Sequence, residues 1–188
     1  MRPLVSFMHV SLDGFVAGPN GEMDWIKVDE EIFDYAGQRT SESDTALYGR
    51  VTYQMMEAYW PTAADQPNAS KHDKEHSAWY SKVDKVIISK TMQGQQLPNT
   101  IVISDDIAHR INALKQQGDK EIIIFGSPGA SHTLMQHGLI DEFWLFINPI
   151  ILGQGIPLFK DVQSITKLKL VTSSTFNSGV VCLHYQKV

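Results

Sequence analysis

Short apolar runs of strand length recur along this 188-residue chain at 4–10 (LVSFMHV), 45–48 (TALY), 83–88 (VDKVII), 101–103 (IVI), 121–125 (EIIIF), 143–147 (FWLFI), 167–176 and 180–186. Each is rich in branched or aromatic residues and bounded by turn formers, the pattern of a strand. Helical spacing falls between several of them. In 105–118 the residues Ile107, Ile111 and Leu114 share one face, with Asp105 placed to cap the start and Gly118 to end it. Residues 130–138 repeat the form with Gly138 as terminator, 27–42 turns Ile32, Phe33 and Ala36 inward, and 50–59 forms a further helix. Strands alternating with helices predict an α/β fold of three layers around a mostly parallel sheet. Asn177-Ser178-Gly179, between two strand-like runs, is a hairpin signal, so antiparallel strands are expected at the C-terminal end of that sheet. The polar stretch 61–78 reads as surface loop entering a helix near AWYSKV at 78–83. No repeat or linker interrupts the pattern, and one domain is expected.

Composition leaves this picture unchanged and removes several functions. Lys and Arg total 16 against 21 Asp and Glu, a net charge of −5 that offers no footprint for nucleic acid or an anionic membrane. The apolar runs are too short to span a bilayer, and MRP leads into the first strand without a cleavage pattern, so a cytoplasmic protein is expected. Cys182, alone in VVCLHY, is expected to be a buried, inert thiol.

Three strand exits carry candidate chemistry. EIIIFGSPGASHTLMQHG (121–138) runs from a buried strand through Gly126, Ser127 and Gly129 into a helix beginning near Ala130 and Ser131. That geometry aims free N–H groups and a helix dipole at one point, serving an anion or simply making a tight turn. TALYGRVTYQ (45–54) offers Gly49 for close backbone approach, the Arg50 guanidinium fork and Thr52; VIISKT (86–91) ends in Ser89, Lys90 and Thr91. In a parallel sheet these exits lie on one side, where a dinucleotide is accommodated. Upstream, SLDGFVAGPNGEMDW (11–25) leaves the first strand with three glycines and ends on Trp25, a longer and more flexible loop than a turn requires.

Taken in order, SLDGFVAGPNGEMDW, LYGRVTY, ISKT, IFGSPGASHTLMQHGLIDEF and INPIILGQGIPLF resemble the dihydrofolate reductase-like superfamily over essentially the whole chain. SLDG and PIILGQGIPLF point to the branch of the riboflavin-biosynthesis reductase domain and its stand-alone relatives. The resemblance implies a glycine-rich flap at 11–25 over nicotinamide and substrate, with Trp25 as an apolar wall. It also implies NADPH as cofactor, its diphosphate on Gly49, Arg50 and Thr52 and on Gly126 to Ser131, and its 2′-phosphate on Ser89 and Lys90 beside Thr91. The implied activity is hydride transfer to a small heterocyclic or ribosylaminopyrimidine-like substrate, often in a homodimer, for which the C-terminal strands with FWLFINPIIL would supply an apolar interface. A true dihydrofolate reductase and a non-catalytic dinucleotide-binding protein are the alternatives, the latter distinguished by a pocket filled with side chains such as Trp25 or Phe33.

Folate reductases hold their pterin with a carboxylate on the helix after the flap. In WIKVDEEIFDYAG, Asp29 lies three residues after Ile26 and four before Phe33, on the apolar face; Glu30 is next to that face, while Glu31 and Asp34 turn outward. Asp29 is thus the candidate catalytic carboxylate, with Phe33 and Glu30 beside the substrate. Asp13 of SLDG is the second candidate, equally well read as an Asx turn. His72 and His76 have the i, i+4 spacing of zinc ligands but no third ligand, so a solvated helix face is expected. His9 faces either the site or the core. PIILGQGIPLF (149–159) forms a buried structural loop, a substrate wall or a dimer contact.

Overall fold

The computed structural model describes residues 1–188. Its frame is an eight-stranded sheet. In chain order the elements are β1 (Leu4–Ser11), β2 (Phe15–Ala17), α1 (Glu30–Glu42), β3 (Ser43–Gly49), α2 (Arg50–Ala63), α3 (Lys71–Tyr80), β4 (Asp84–Ile88), β5 (Thr100–Ile103), α4 (Ile107–Leu114), β6 (Glu121–Phe125), α5 (Pro128–Gln136), β7 (Glu142–Asn148), β8 (Ile156–Pro157), β9 (Leu168–Thr175) and β10 (Val181–Lys187). The sheet runs β5-β4-β3-β6-β1-β7-β10-β9, and β2 with β8 forms a separate two-stranded ribbon. All neighbours from β5 to β7 are parallel; β10 is antiparallel to both β7 and β9. No helix is long and apolar enough to cross a membrane.

The period of two in the central strands sorts the layers. Leu4, Met8 and Val10 of β1, with Ile122 and Ile124 of β6 and Leu47 of β3, face Ile111 of α4 and Leu134 of α5. Val5 and Phe7 with Ile123 face Ile32 of α1, while Ala46, Tyr48 and Ile87 face Tyr53 of α2 and Tyr80 of α3. Helices therefore cover both faces, as strands buried on both sides require. The hairpin expected at Asn177-Ser178-Gly179 joins β9 to β10, with Gly179 at φ +84° where a β-carbon would be strained. Cys182 is buried in β10, and burial pushes its thiol up to about 12, which keeps it unreactive.

Several expectations are corrected. Asp105 does not cap α4: it pairs with Arg110 at 3.2 Å, and the residue before the helix, Asp106, sits in the left-handed region at φ +42° with no capping bond. The polar stretch contains α3, whose start is closed by a reciprocal capping box between Ser70 and Asp73. Most of FWLFINPIIL supplies no outer apolar face, because β7 lies between β1 and β10 and Phe143 to Phe146 are buried, leaving Ile151 exposed beyond the strand. Of the C-terminal strands, the edge strand β9 exposes apolar side chains at Leu168, Leu170 and Val171.

Candidate active site

Because β3, β4 and β6 are parallel, their exits share one sheet edge, and two of them touch. The Gly49 N–H donates to Ser127 Oγ at 2.7 Å, and Thr52 Oγ1 approaches the Gly126 carbonyl at 3.5 Å. Helices α2 and α5 thus begin side by side. Neither start carries a side-chain cap, and because Pro128 opens α5 without an N–H, the backbone donors of that start begin at Gly129. A β-carbon on Gly49 would fall 3.2 Å from Ser127 Oγ, one on Gly129 would meet open space, and Gly126 turns at φ +53°. This is a concave backbone cradle of the kind a diphosphate needs. Arg50 is exposed above it, bonded only to Gln54 at 3.0 Å, and Lys90 is exposed at the neighbouring exit with no carboxylate partner. Ser89 is buried, its hydroxyl accepting from Met92 N–H at 3.3 Å and lying 3.2 Å from Thr91 Oγ1, so it closes its own turn. Ser131 is also fully buried, one turn inside α5.

Gly126 also lines a cavity of about 730 Å³ on the α1–α3 side of the sheet. The floor is the end of β1, the roof is Val16, Met23 and Ile26 of the 11–28 loop, and the far wall comes from α1, α2 and α3. Its surface is aromatic. Phe33 stacks face to face on His72 at 3.9 Å between centroids and 9° between planes; His76 packs 4.0 Å from Trp60, 5.1 Å from Trp79 and 5.7 Å from Phe125. Burial lowers the His72 pKa and brings that of His76 down to about 3, with the His72 charge a smaller cause. His9 faces this cavity, stacked on Phe146 at 4.9 Å, and burial lowers it to about 4. All three imidazoles are neutral at pH 7.

The neighbours of His9 fix its tautomer. Asn148 Oδ1 accepts from Lys27 N–H at 2.8 Å, so Nδ2 is the donor that reaches Phe146 O at 3.0 Å and lies 3.4 Å from His9 Nδ1. An acceptor at Nδ1 leaves the proton of the neutral ring on Nε2. The helix face carrying His72 and His76 is accordingly not a solvated one. The repeat His72, His76, Trp79, Tyr80 at i, i+4, i+7 and i+8 was the available signal, masked by the charged residues between. No group of three potential ligands stands together for a metal.

The other sequence candidates lie outside the cavity lining. Asp29 precedes α1 and caps it, accepting from the Ile32 N–H at 2.9 Å, because the helix begins at Glu30 rather than 27 and no apolar face extends back to Asp29. Glu30 is exposed on the first turn, and Glu31 accepts from Asn177 N and Nδ2 at 3.2 and 3.1 Å. Trp25 folds back on its own loop, donating Nε1–H to the Glu22 carbonyl at 3.0 Å; Met23 and Ile26 form the apolar wall in its place. Asp13 accepts from Ser11 Oγ at 2.7 Å and from the Leu152 and Gly153 N–H groups at 3.1 and 2.7 Å, and these bonds hold its carboxyl below the usual carboxylate range. It ties the loop to the LGQG turn. The β2–β8 pairing is the second tie, and a β-carbon on Gly155 would fall 2.2 Å from the Ala17 carbonyl oxygen. PIILGQGIPLF thus anchors the 11–28 loop, with Leu158 buried and Ile151 and Phe159 exposed.

The parallel sheet with its reversed C-terminal strand, the helix-start cradle at one edge and the adjoining cavity define a dihydrofolate reductase-like fold. The chain belongs to the family of the RibD C-terminal domain, whose model matches residues 2–182. Two Bacillus subtilis proteins, both uncharacterized, are similar over 98% of the chain: YyaP at 37% identity, covering 94% of that protein, and YwjB at 28%, covering 97%. Among solved structures, a pyrimidine reductase-like protein from Corynebacterium diphtheriae matches with a TM-score of 0.68 at 17% identity, over all of this chain and 92% of that one. RibD of Acinetobacter baumannii gives 0.68 at 16% over all of this chain and 58% of its own. Dihydrofolate reductase from Enterococcus faecalis, complexed with NADP(H), gives 0.64 at 11% over 98% of this chain and 96% of that one. At such identities these likenesses establish the fold.

Proposed function

We propose that this protein is an NADPH-dependent reductase that delivers a hydride to a small heterocyclic or ribosylaminopyrimidine-like substrate. The carrying observation is the double role of Gly126. It belongs to the diphosphate cradle between α2 and α5 and also lines the cavity, so a dinucleotide laid along the edge would place its ring end where the cavity begins.

Hydride transfer requires reacting carbons in contact and water excluded. When bound, NADPH would supply the hydride and become NADP⁺, while the reduced substrate takes a proton from water at the atom next to the new C–H bond. The chain supplies position: Phe33, Trp60 and the stacked imidazoles hold a flat ring, and Met23 and Ile26 close it from solvent. No buried carboxylate lines the cavity, since Asp29 is a helix cap and Asp34 and Glu75 stand at the solvent mouth, which speaks against folate as the substrate. The cavity is open rather than plugged by Trp25 or Phe33, which favours an enzyme over a binding module. A homodimer joined through the exposed β9 edge belongs to this reading and is checked by light scattering.

Thermal-shift titration with NADPH and NADH tests the reading, because a ligand that binds only the folded state raises its apparent stability. NADPH is expected to stabilise at lower concentration than NADH. No shift with either dinucleotide refutes the proposal.

A further inference from the structure

The charge distribution around the cavity narrows the substrate, given the reductase reading above. A phosphorylated substrate needs cations or free N–H groups where its phosphate lies. Lys71 is the one formal cation among the lining residues. It is already engaged: its Nζ lies 2.7 Å from an Asp34 carboxylate oxygen, and Glu75 and Glu30 add their charge to that of Asp34 in holding the ammonium form. Asp34 and Glu75 themselves line the mouth, so with neutral histidines the lining carries one cation against two carboxylates. The hydroxyls are also spent, Thr40 donating to Gly37 O at 2.8 Å and Ser41 to Gln38 O at 2.7 Å.

Deeper in, His9 is the polar group whose donor atom is fixed by its neighbours. Its ring is held by Phe146 on one face and Asn148 at Nδ1, leaving Nε2–H as a donor whose protonation state does not change near neutrality. Such a donor recognises a carbonyl oxygen or an unprotonated ring nitrogen. The aromatic walls recognise the ring itself by stacking.

We propose that the cavity is built for an uncharged, planar nitrogen heteroaromatic compound bearing no phosphate, with an acceptor atom of the ring bonded to His9 Nε2–H. The mouth formed by Asp34, Glu75 and the neutralised Lys71 turns the phosphorylated counterpart away. In this respect the site departs from a phosphoribosyl-pyrimidine reductase.

Riboflavin and flavin mononucleotide are matched probes, one ring without and with a phosphate. Binding is read by quenching of flavin fluorescence in the presence of saturating NADP⁺, which occupies the cradle that would otherwise attract a phosphate. Riboflavin is expected to bind at least about tenfold more tightly than the mononucleotide. The doubly neutralised variant Asp34→Asn, Glu75→Gln is expected to narrow that ratio by at least about threefold. His9→Phe keeps the stacked ring and removes the donor, and is expected to weaken riboflavin binding about fivefold with the NADPH thermal shift unchanged. Equal or tighter binding of the mononucleotide to the native protein, no binding of riboflavin, or an unaltered affinity in His9→Phe overturns the proposal. Absence of an NADPH shift instead refutes the reductase reading, and the two failures are thereby separable.

Discussion

The cradle and the cavity meet at Gly126 and are made of different materials. The cradle is mainly backbone: free N–H groups at two helix starts, a glycine at the point of closest approach, and exposed cations arranged above. The cavity is side chain: aromatic rings and neutral imidazoles from β1, α1, α2 and α3. Backbone dipoles bind whatever carries phosphate, whereas a wall of stacked rings selects by shape and by one or two polar groups. On the proposed reading, cofactor binding and substrate choice are therefore separable by mutation.

Acid should separate them most strongly. His9 and His76 are held near 4 and 3 in the folded protein, against an ordinary value of 6.5. As pH falls below 6.5 the unfolded chain takes up these protons and the folded one does not, so their contribution to stability is complete above 6.5 and is lost progressively down toward 4 and 3. At 1.36 kcal/mol for each unit of pKa, the loss is on the order of a few kcal/mol by pH 4. Urea unfolding at pH 7 and pH 4.5 measures it, and His76→Phe, which keeps an aromatic ring against Trp60, should show a shallower decline than the native protein. Parallel declines would mean that His76 is solvated or already charged. A smaller effect belongs to the cradle alone: Gly49→Val, pressing on Ser127 Oγ, is expected to weaken NADPH about thirtyfold, roughly 2 kcal/mol, while leaving the riboflavin probe bound.

The same difference in material decides what the sequence discloses. A strand that ends in glycine and enters a helix is a local pattern, so β6 has its expected limits of 121–125 and the exits at Gly49 and Gly126 lie on one edge, as alternation of strands and helices implies. The cavity is assembled from residues up to about 120 positions apart, such as His9 and Phe125, and no local period brings them together. Errors arise where a tertiary partner overrides a local rule. His72 and His76 sit among charged neighbours and look solvated until Phe33 and Trp60 are placed against them. Asp29 shares an apolar face with Ile26 and Phe33 only in a helix that continues back through both, whereas α1 starts at Glu30 and leaves Asp29 as its cap. The family resemblance implies an inward Trp25, yet a bond to the Glu22 carbonyl holds it to its own loop.

Within the cradle, two cations should prove unequal, and this sharpens the comparison at its finest level. Lys90→Ala is expected to cost about tenfold in NADPH affinity and nothing for NADH, since a 2′-phosphate is what Lys90 would meet. Arg50 stands above the helix starts that, on the proposed reading, would face the diphosphate common to both cofactors, and it is exposed and bonded only to Gln54. Its charge acts through solvent, so Arg50→Ala should weaken NADPH and NADH alike, by about threefold at low salt and less as ionic strength rises. Calorimetric titration of both dinucleotides at two salt concentrations reads the difference. An Arg50→Ala variant that loses NADPH selectively would move the 2′-phosphate from the β4 exit to the adjacent β3 exit, one strand nearer the cradle.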